Sequence, residues 1–419
     1  MTRIDNTDRI TAQRVIDSIV NLKQLVFEVT NDCNLACKYC IYGEFYSGFD
    51  HQKTQSLSFS DAKAIIDYVV GIWKSYPALA YNQNTLISFY GGEPLLNISL
   101  IKQIVDYTEQ LDVARRFSYA MTSNCVLLDR YADYLVEKRF LLLCSLDGNK
   151  ESNAYRVHKD GRPSFERVFS NILHLREQYP EYFRENVAFN SVLHNLNDVS
   201  HTNSFFKEMF DKTPTISELN AVGVKPEQKA SFMATFKNMF EALNQSENYE
   251  ELSRELGSQS PEVYETMCYI DSKSDSIYSS YCDLFHDDDV YECTPSGTCL
   301  PFSKKMFVTV DGKILQCERI HHAFAFGQIR NGVVDLNPEE IAKTFNCYLD
   351  KIQPRCSACA RKKSCLQCMF QMSGIESDHP KCAGFMTKEM FCTYEQFCRA
   401  YLYHHPELYR RVLKETVYE

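Results

Sequence analysis

The sequence predicts an α/β fold in which a parallel sheet, closed fully or in part as a barrel, is wrapped by helices and followed by a small cysteine-rich domain. Three observations carry this reading. Apolar runs of strand length alternate with segments of helical periodicity from Leu25 to Leu193; the most distinctive turns fall where those strands end; and most of the 18 Cys crowd into the stretch after Tyr291.

Taken in order, LVFEVT (25–30) reads as a buried strand that runs directly into a Cys-rich loop. SFSDAKAIIDYVVGIWKSY has apolar residues at helical spacing with Ser60 as its N-cap, and TLISFYGGEP is a strand ending in a glycine turn. Helix-like ISLIKQIVDYTEQL precedes strand FSYAMTSN, DRYADYLVEKR precedes FLLLCSLDG, and SFERVFSNILHLREQY precedes NVAFNSVLH. Such βα alternation places ligand chemistry at the carboxyl ends of the strands. From about Phe205 to Asp289 the pattern weakens into polar, acidic, mostly helical sequence, and beyond Tyr291 a hairpin-like run, KMFVTVDGKILQCE, lies among turn residues and cysteines. The expected division is an N-terminal helical extension (1–22), a βα core (23–204), a helical bridge or insertion (205–290), a metal-stapled domain (291–400) and a C-terminal helix (401–419).

Composition bounds the function. A chain of 419 residues exceeds one ordinary core, so two or three domains are expected, and 44% hydrophobic with 24% charged residues suits a globular protein rather than a disordered one. Lys+Arg at 45 against Asp+Glu at 55 gives −10, which argues against a broad nucleic-acid footprint. No apolar run has the length of a signal peptide or a membrane span, so a cytoplasmic protein without membrane contact is expected. In a reducing compartment the 18 Cys point to metal ligation or thiol chemistry, not disulfides.

The first cluster, Cys33, Cys37 and Cys40, forms CxxxCxxC directly after the first strand. Thiolates are soft ligands, and a short loop can offer three of them to three irons of one cubane, leaving the fourth iron open to a substrate or cofactor. A zinc site or ordinary buried cysteines are the alternatives. Gly91-Gly92-Glu93-Pro94 closes the second strand: the glycines let backbone approach a ligand, and Glu93 is an acceptor suited to a cationic amino group, although the same residues would serve a helix-entry turn. Thr122, Ser123 and Asn124 end the third strand; Ser145, Asp147 and Gly148 end the fourth, with Arg156 eleven residues after Ser145, either a carboxylate ligand or half of a salt bridge.

The cysteine loop resembles that of the radical S-adenosylmethionine enzymes, which carry an aromatic residue before the last Cys, here Tyr39. The resemblance implies a partial (β/α)6 TIM-like barrel and a [4Fe-4S] cluster on Cys33, Cys37 and Cys40. It also implies S-adenosylmethionine bound at the open iron and its one-electron cleavage to a 5′-deoxyadenosyl radical. By the same resemblance Tyr39, Gly91, Gly92, Glu93, Thr122, Ser123, Asn124, Ser145, Asp147 and Arg156 would bind the cofactor, and Val192 and Leu193 would flank its adenine; plain core is the other reading of that last pair. Arg156 stands one residue earlier than in the peptide-modifying branch of the family.

Cys293-x5-Cys299-x12-Gly312-x4-Cys317, then Cys356-x2-Cys359-x5-Cys365-x2-Cys368 and Cys382, resembles the SPASM domain, whose last spacing is x3. It implies two auxiliary [4Fe-4S] clusters, one on Cys293, Cys299, Cys317 and Cys368, the other on Cys356, Cys359, Cys365 and Cys382, with Cys392 an alternative to Cys382 and two zinc knuckles the rival reading. Cys125 and Cys144 are expected to be buried structural thiols. Glu318 stands where relatives place an acidic residue near the substrate, a candidate proton acceptor unless it is a solvent-facing hairpin charge.

The function expected is a peptide maturase that abstracts hydrogen from a ribosomally made precursor peptide and forms a thioether or carbon–carbon crosslink, with the auxiliary clusters taking up the second electron. A formylglycine-generating sulfatase maturase, a peptide epimerase and a non-catalytic iron–sulfur protein are the alternatives. The expected partners are the precursor peptide, a reductant such as flavodoxin or ferredoxin and, because no separate recognition domain fits before Leu25, a leader-binding surface elsewhere or on another protein.

Overall fold

A computed structural model describes residues 9–47, 54–273, 297–377 and 379–415. Six parallel strands lie side by side in chain order: β1 (Gln24–Thr30), β2 (Asn84–Gly91), β3 (Arg116–Ser123), β4 (Leu141–Ser145), β5 (Val187–Leu193) and β6 (Thr215–Glu218). Helix α1 (Ala12–Val20) precedes them, and α2 (Phe59–Ser75), α3 (Ile98–Glu109), α4 (Leu128–Glu137), α5 (Phe165–Gln178), α6 (Pro180–Asn186) and α7 (Val199–Phe210) run between successive strands. This is the α/β architecture of a partial barrel. Its sixth strand, TISE, falls inside the stretch expected to be a helical bridge; four residues with one fully buried side chain, Ile216, are too few to show a period.

The sheet continues past β1. There β7 (Lys305–Val308) pairs parallel with it, and β8 (Lys313–Leu315), β9 (Gly327–Arg330) and β10 (Val333–Asp335) follow antiparallel. A strand with neighbours on both edges and side chains packed on both faces should be apolar throughout, and β1 is buried from Leu25 to Thr30. One hydrophobic cluster therefore runs from Ile10 through the barrel to Ile375, so the cysteine-rich segment is fastened to the barrel by both hydrogen bonds and core packing. The segment just before α1 is fastened to it as well: Ile10 N–H donates to Asn346 Oδ1 (3.0 Å), and Asn346 Nδ2 returns a bond to the Ile10 carbonyl (2.9 Å).

Helix α2 is capped two residues before the expected position. Ser58 has extended backbone and its hydroxyl accepts from Asp61 N–H at 3.0 Å, so Ser58 rather than Ser60 satisfies the first turn. Among the described residues, no helix is long and apolar enough to cross a membrane.

Candidate active site

The site is built where β1 and β2 end. Gly91 has φ +140°, and a Cβ there would lie 2.0 Å from the Thr30 carbonyl oxygen; a Cβ on Gly92 would lie 2.1 Å from that of Asp32. Without side chains the two strand ends can bond directly, Gly92 N–H to Thr30 O (2.9 Å) and Glu93 N–H to Asp32 O (2.8 Å). The close approach expected of these glycines is thus to the polypeptide that delivers Cys33. Pro94 also opens a short helical turn that Glu93 caps, as the helix-entry alternative required.

Backbone bonds from Ala36 N to Val157 O (2.7 Å) and from Lys38 N to Tyr155 O (3.2 Å) pin the cysteine loop onto the segment after β4. Cys33, Cys37 and Cys40 line one cavity of about 630 Å³ together with Gly92 and Lys159. Burial pushes the thiols up to about 12, 12 and 11, and each feels the charge of another: Cys37 on Cys33, Cys40 on Cys37, Cys33 on Cys40. Three mutually close thiols that resist ionisation alone form a donor set that bound cations would convert to thiolates. Among the described residues no three His, Cys, Asp or Glu are grouped as a single metal ion requires, whereas a cubane takes each thiolate on a different iron. The residues fit an iron–sulfur cluster.

Glu93 is wholly buried; its Oε1 accepts from Ser123 Oγ (2.8 Å) and Leu95 N–H (3.1 Å), its Oε2 from Asn124 N–H (2.7 Å). Burial outweighs these bonds and raises its carboxyl to about 7, an environment that a cationic ligand would relieve. Ser123 is thereby committed to Glu93. Asn124 instead directs Nδ2 at Cys33 Sγ (3.5 Å), and Thr122 faces the barrel interior.

At the end of β4, Asp147 is turned inward. Oδ1 accepts from Arg156 Nη2 (3.0 Å) and Val192 N–H (2.9 Å), Oδ2 accepts from the Tyr39 hydroxyl, and His194 Nε2 stands 3.6 Å away. Burial opposes ionisation, but Arg156 and His194 hold the carboxyl down at about 2. Asp147 has no exposed surface, and its carboxylate is engaged by Arg156, Val192 and Tyr39, so in this structure it orients those three groups. Tyr39 likewise spends its hydroxyl on Asp147 while its ring stacks on His194 at 5.6 Å. Arg156 touches the Cys37 thiol, and its buried Nε has no acceptor among the described residues, which leaves a donor beside the cysteine loop. Ser145 is half-buried at the end of β4, opposite Asn190.

Adjacent strand residues face opposite ways. Val192 packs on the side of Tyr39, but Leu193 is buried in a separate cluster with Val199 and Ile216 and cannot flank a ligand beside Tyr39. The residue that shares Val192's face is His194, which the sequence reading missed and which the alternation would have supplied.

A second cavity of about 450 Å³ occupies the barrel interior, lined among others by Gln24, Ser88, Tyr90, Thr122, Lys305 and Glu318. Glu318 is turned into this space and ion-paired with Lys305 at 3.1 Å, and is no solvent-facing charge. Burial opposes its ionisation, but Lys305 and Arg319 prevail and keep it below the usual carboxylate range. The cavity links this pair to the cysteine loop through Tyr90, which feels the charges of both Glu318 and Cys40. Lys305 was not foreseen; only the pairing of β7 with β1 brings it here.

In the C-terminal segment Cys356, Cys359, Cys365 and Cys382 line one small cavity with Arg355 and Phe385. Cys392 is exposed on a helix, Lys388–His404, and Cys382 completes the foursome. Cys368 lies near Cys299, bonded to Thr298, and Cys317 stands beside Glu318; Cys293 lies outside the described residues. Cys125 and Cys144 touch one another and have no exposed surface.

Residues 27–202 match the Radical SAM superfamily. The chain carries a radical SAM domain. It is 33% identical over 144 residues to the uncharacterized protein MJ0907 of Methanocaldococcus jannaschii (34% of this chain, 45% of the relative). It is 27% identical over 184 residues to the radical SAM cyclopropyl synthase TigE of Paramaledivibacter caminithermalis (42% and 37%). With a cysteine-type anaerobic sulfatase-maturating enzyme of Clostridium novyi it shares 25% over 169 residues (39% and 42%), so the chain spans less than half the length of these curated relatives. In fold, the solved structure of anSMEcpe with bound AdoMet superposes with a TM-score of 0.58 at 17% identity, over 94% of this chain and 99% of that one. The radical SAM fold therefore accounts for the barrel and for the cysteine loop at its mouth.

Proposed function

We propose that this radical SAM enzyme is a cytoplasmic peptide maturase that joins two residues of a ribosomally made precursor by a thioether or carbon–carbon bond. The observation that supports it is the pairing of two cavities. One, lined by Cys33, Cys37 and Cys40, suits a [4Fe-4S] cluster; the other, inside the barrel, is large enough for a peptide side chain and holds an ionised carboxylate. When bound, that cluster supplies the electron that cleaves S-adenosylmethionine to a radical able to abstract hydrogen.

The chain's own residues do the rest. Glu93 offers a buried carboxylate to the amino group of the cofactor, and the buried Nε of Arg156 offers a donor to its carboxylate. Asp147 fixes Arg156, Tyr39 and β5 in one arrangement. Glu318, held by Lys305, accepts the proton that must leave when a crosslink forms. Cys356, Cys359, Cys365 and Cys382 would hold one auxiliary cluster, and Cys293, Cys299, Cys317 and Cys368 another, to receive the second electron; flavodoxin or ferredoxin would deliver the first. A leader peptide would be held by the region after β6, by the cysteine-rich segment or by a separate protein.

The sulfatase-maturating enzymes, whose name makes a protein their substrate, support a polypeptide substrate by their likeness to this chain. The test is anaerobic incubation of the cluster-loaded protein with S-adenosylmethionine, a reductant and the short peptides translated beside its gene. Loss of two hydrogens from one peptide with an internal link is the expected product. Formylglycine on a sulfatase-motif peptide, or an epimerised residue at unchanged mass, would replace this reading.

A further inference from the structure

The side chains of Asn34 and Asn124 form an amide pair whose orientation the network fixes. Asn124 Oδ1 accepts from Val126 N–H at 3.0 Å, which turns its Nδ2 toward Cys33. That Nδ2 donates to Asn34 Oδ1 at 2.7 Å and reaches Cys33 Sγ at 3.5 Å. Because Asn34 Oδ1 is taken, the Asn34 amide cannot be flipped without setting two NH2 groups against each other. Its own Nδ2 is then left buried with no acceptor among the described residues. Asn34 does not line the cysteine cavity, so what it contributes is its Oδ1, which accepts from Asn124 Nδ2 and holds that amide beside Cys33. The Cys33 sulfur already receives a backbone N–H from Leu35 at 3.4 Å, so donors gather at this one sulfur.

Hydrogen bonds to cluster sulfur withdraw charge from it and stabilise the reduced state, which carries one more electron. We infer that Asn124 is a positioning residue that aims its side-chain N–H at the Cys33 thiolate, held in that orientation by Asn34 Oδ1, and that the pair makes the cluster Cys33 would help to hold easier to reduce. Asn124 joins this device to the cofactor pocket, since its backbone N–H is the donor to Glu93 Oε2. The inference rests on the radical SAM reading of the cysteine loop and assigns to Asn124 a role toward sulfur instead of the direct cofactor contact expected from its position.

The test is a redox titration of the full chain, loaded anaerobically with iron and sulfide, following the paramagnetic signal that responds to S-adenosylmethionine. Wild type is compared with Asn124→Ala, Asn124→Asp, Asn34→Ala and Asn34→Asp at equal iron content. The midpoint is expected to move to more negative potential in all four, furthest for Asn124→Asp, where an anion replaces the donor. An unmoved Asn124→Ala midpoint would overturn the inference, since an effect confined to the Asp variant is one of added charge. Unmoved midpoints in both Asn34 variants would show that Asn124 needs no support from Asn34 and overturn that half. Wild-type protein that binds iron yet gives no responsive signal would defeat the functional reading itself.

Discussion

Asp147 and Arg156 form a buried ion pair, 3.0 Å between Oδ1 and Nη2, with no exposed surface on the carboxylate. The same carboxylate reaches the Tyr39 hydroxyl, so a single group ties the cysteine loop, the end of β4 and the segment after it. Removing one partner of such a pair leaves a buried charge uncompensated. Asp147→Asn should therefore cost about 3 kcal/mol in urea unfolding of the metal-free chain, against about 1 kcal/mol for Tyr39→Phe, which deletes one hydrogen bond.

The pH dependence follows from the same group. The folded-state carboxyl sits at about 2, below the ordinary value near 3.9, so its contribution is fully present above about pH 4 and is lost as pH falls through 2. The stability gap between wild type and Asp147→Asn should hold constant from pH 7 to about 5, narrow below about pH 4 and close only as pH falls through about 2. A gap that persists at the acid end would mean that Asp147 acts by packing and not by charge.

Two glycines should respond in opposite directions. A Cβ on Gly92 would sit 2.1 Å from a backbone oxygen, while Gly71, exposed in α2, has nothing within 4 Å. Gly92→Ala should lose at least ~2 kcal/mol and most of the iron bound at the loop, whereas Gly71→Ala should gain about 0.5–1 kcal/mol. Thermal melts and iron analysis of both variants check this.

The C-terminal foursome makes a metal prediction. Cys382→Ala should lower reconstituted iron by about four atoms per chain, and Cys392→Ala should leave it unchanged. Equal losses in both would show that Cys392 also serves.

Glu318 separates chemistry from initiation. Glu318→Gln should lower crosslinked product by about 10²-fold or more, while 5′-deoxyadenosine continues to form in the presence of the peptide. A parallel fall of both products would make Glu318 a structural residue.

What the sequence revealed depended on how local each feature is. Cys33, Cys37 and Cys40 sit within eight residues of one loop, and the strands around them are apolar runs, so both were legible. Gly91 and Gly92 were legible as close-approach residues, but what they approach, Thr30 and Asp32, lies about sixty residues earlier and appears only when β1 and β2 pair. Leu193 was assigned to the site against the strand alternation that places His194 there. Lys305 could not be found by reading, because its contact with the barrel depends on a pairing with Gln24 across some 280 residues. The inward turn of Asp147 was equally hidden: an Asp at a strand end looks the same whether it meets a ligand or an arginine.

The most direct measurement is electron paramagnetic resonance of oxygen-free, iron-loaded and reduced protein before and after S-adenosylmethionine is added, on wild type and on Cys37→Ala. A cubane signal that shifts with the cofactor in wild type and is missing from the variant is the predicted result. A full complement of iron whose signal ignores the cofactor, or one that survives the loss of Cys37, would contradict it.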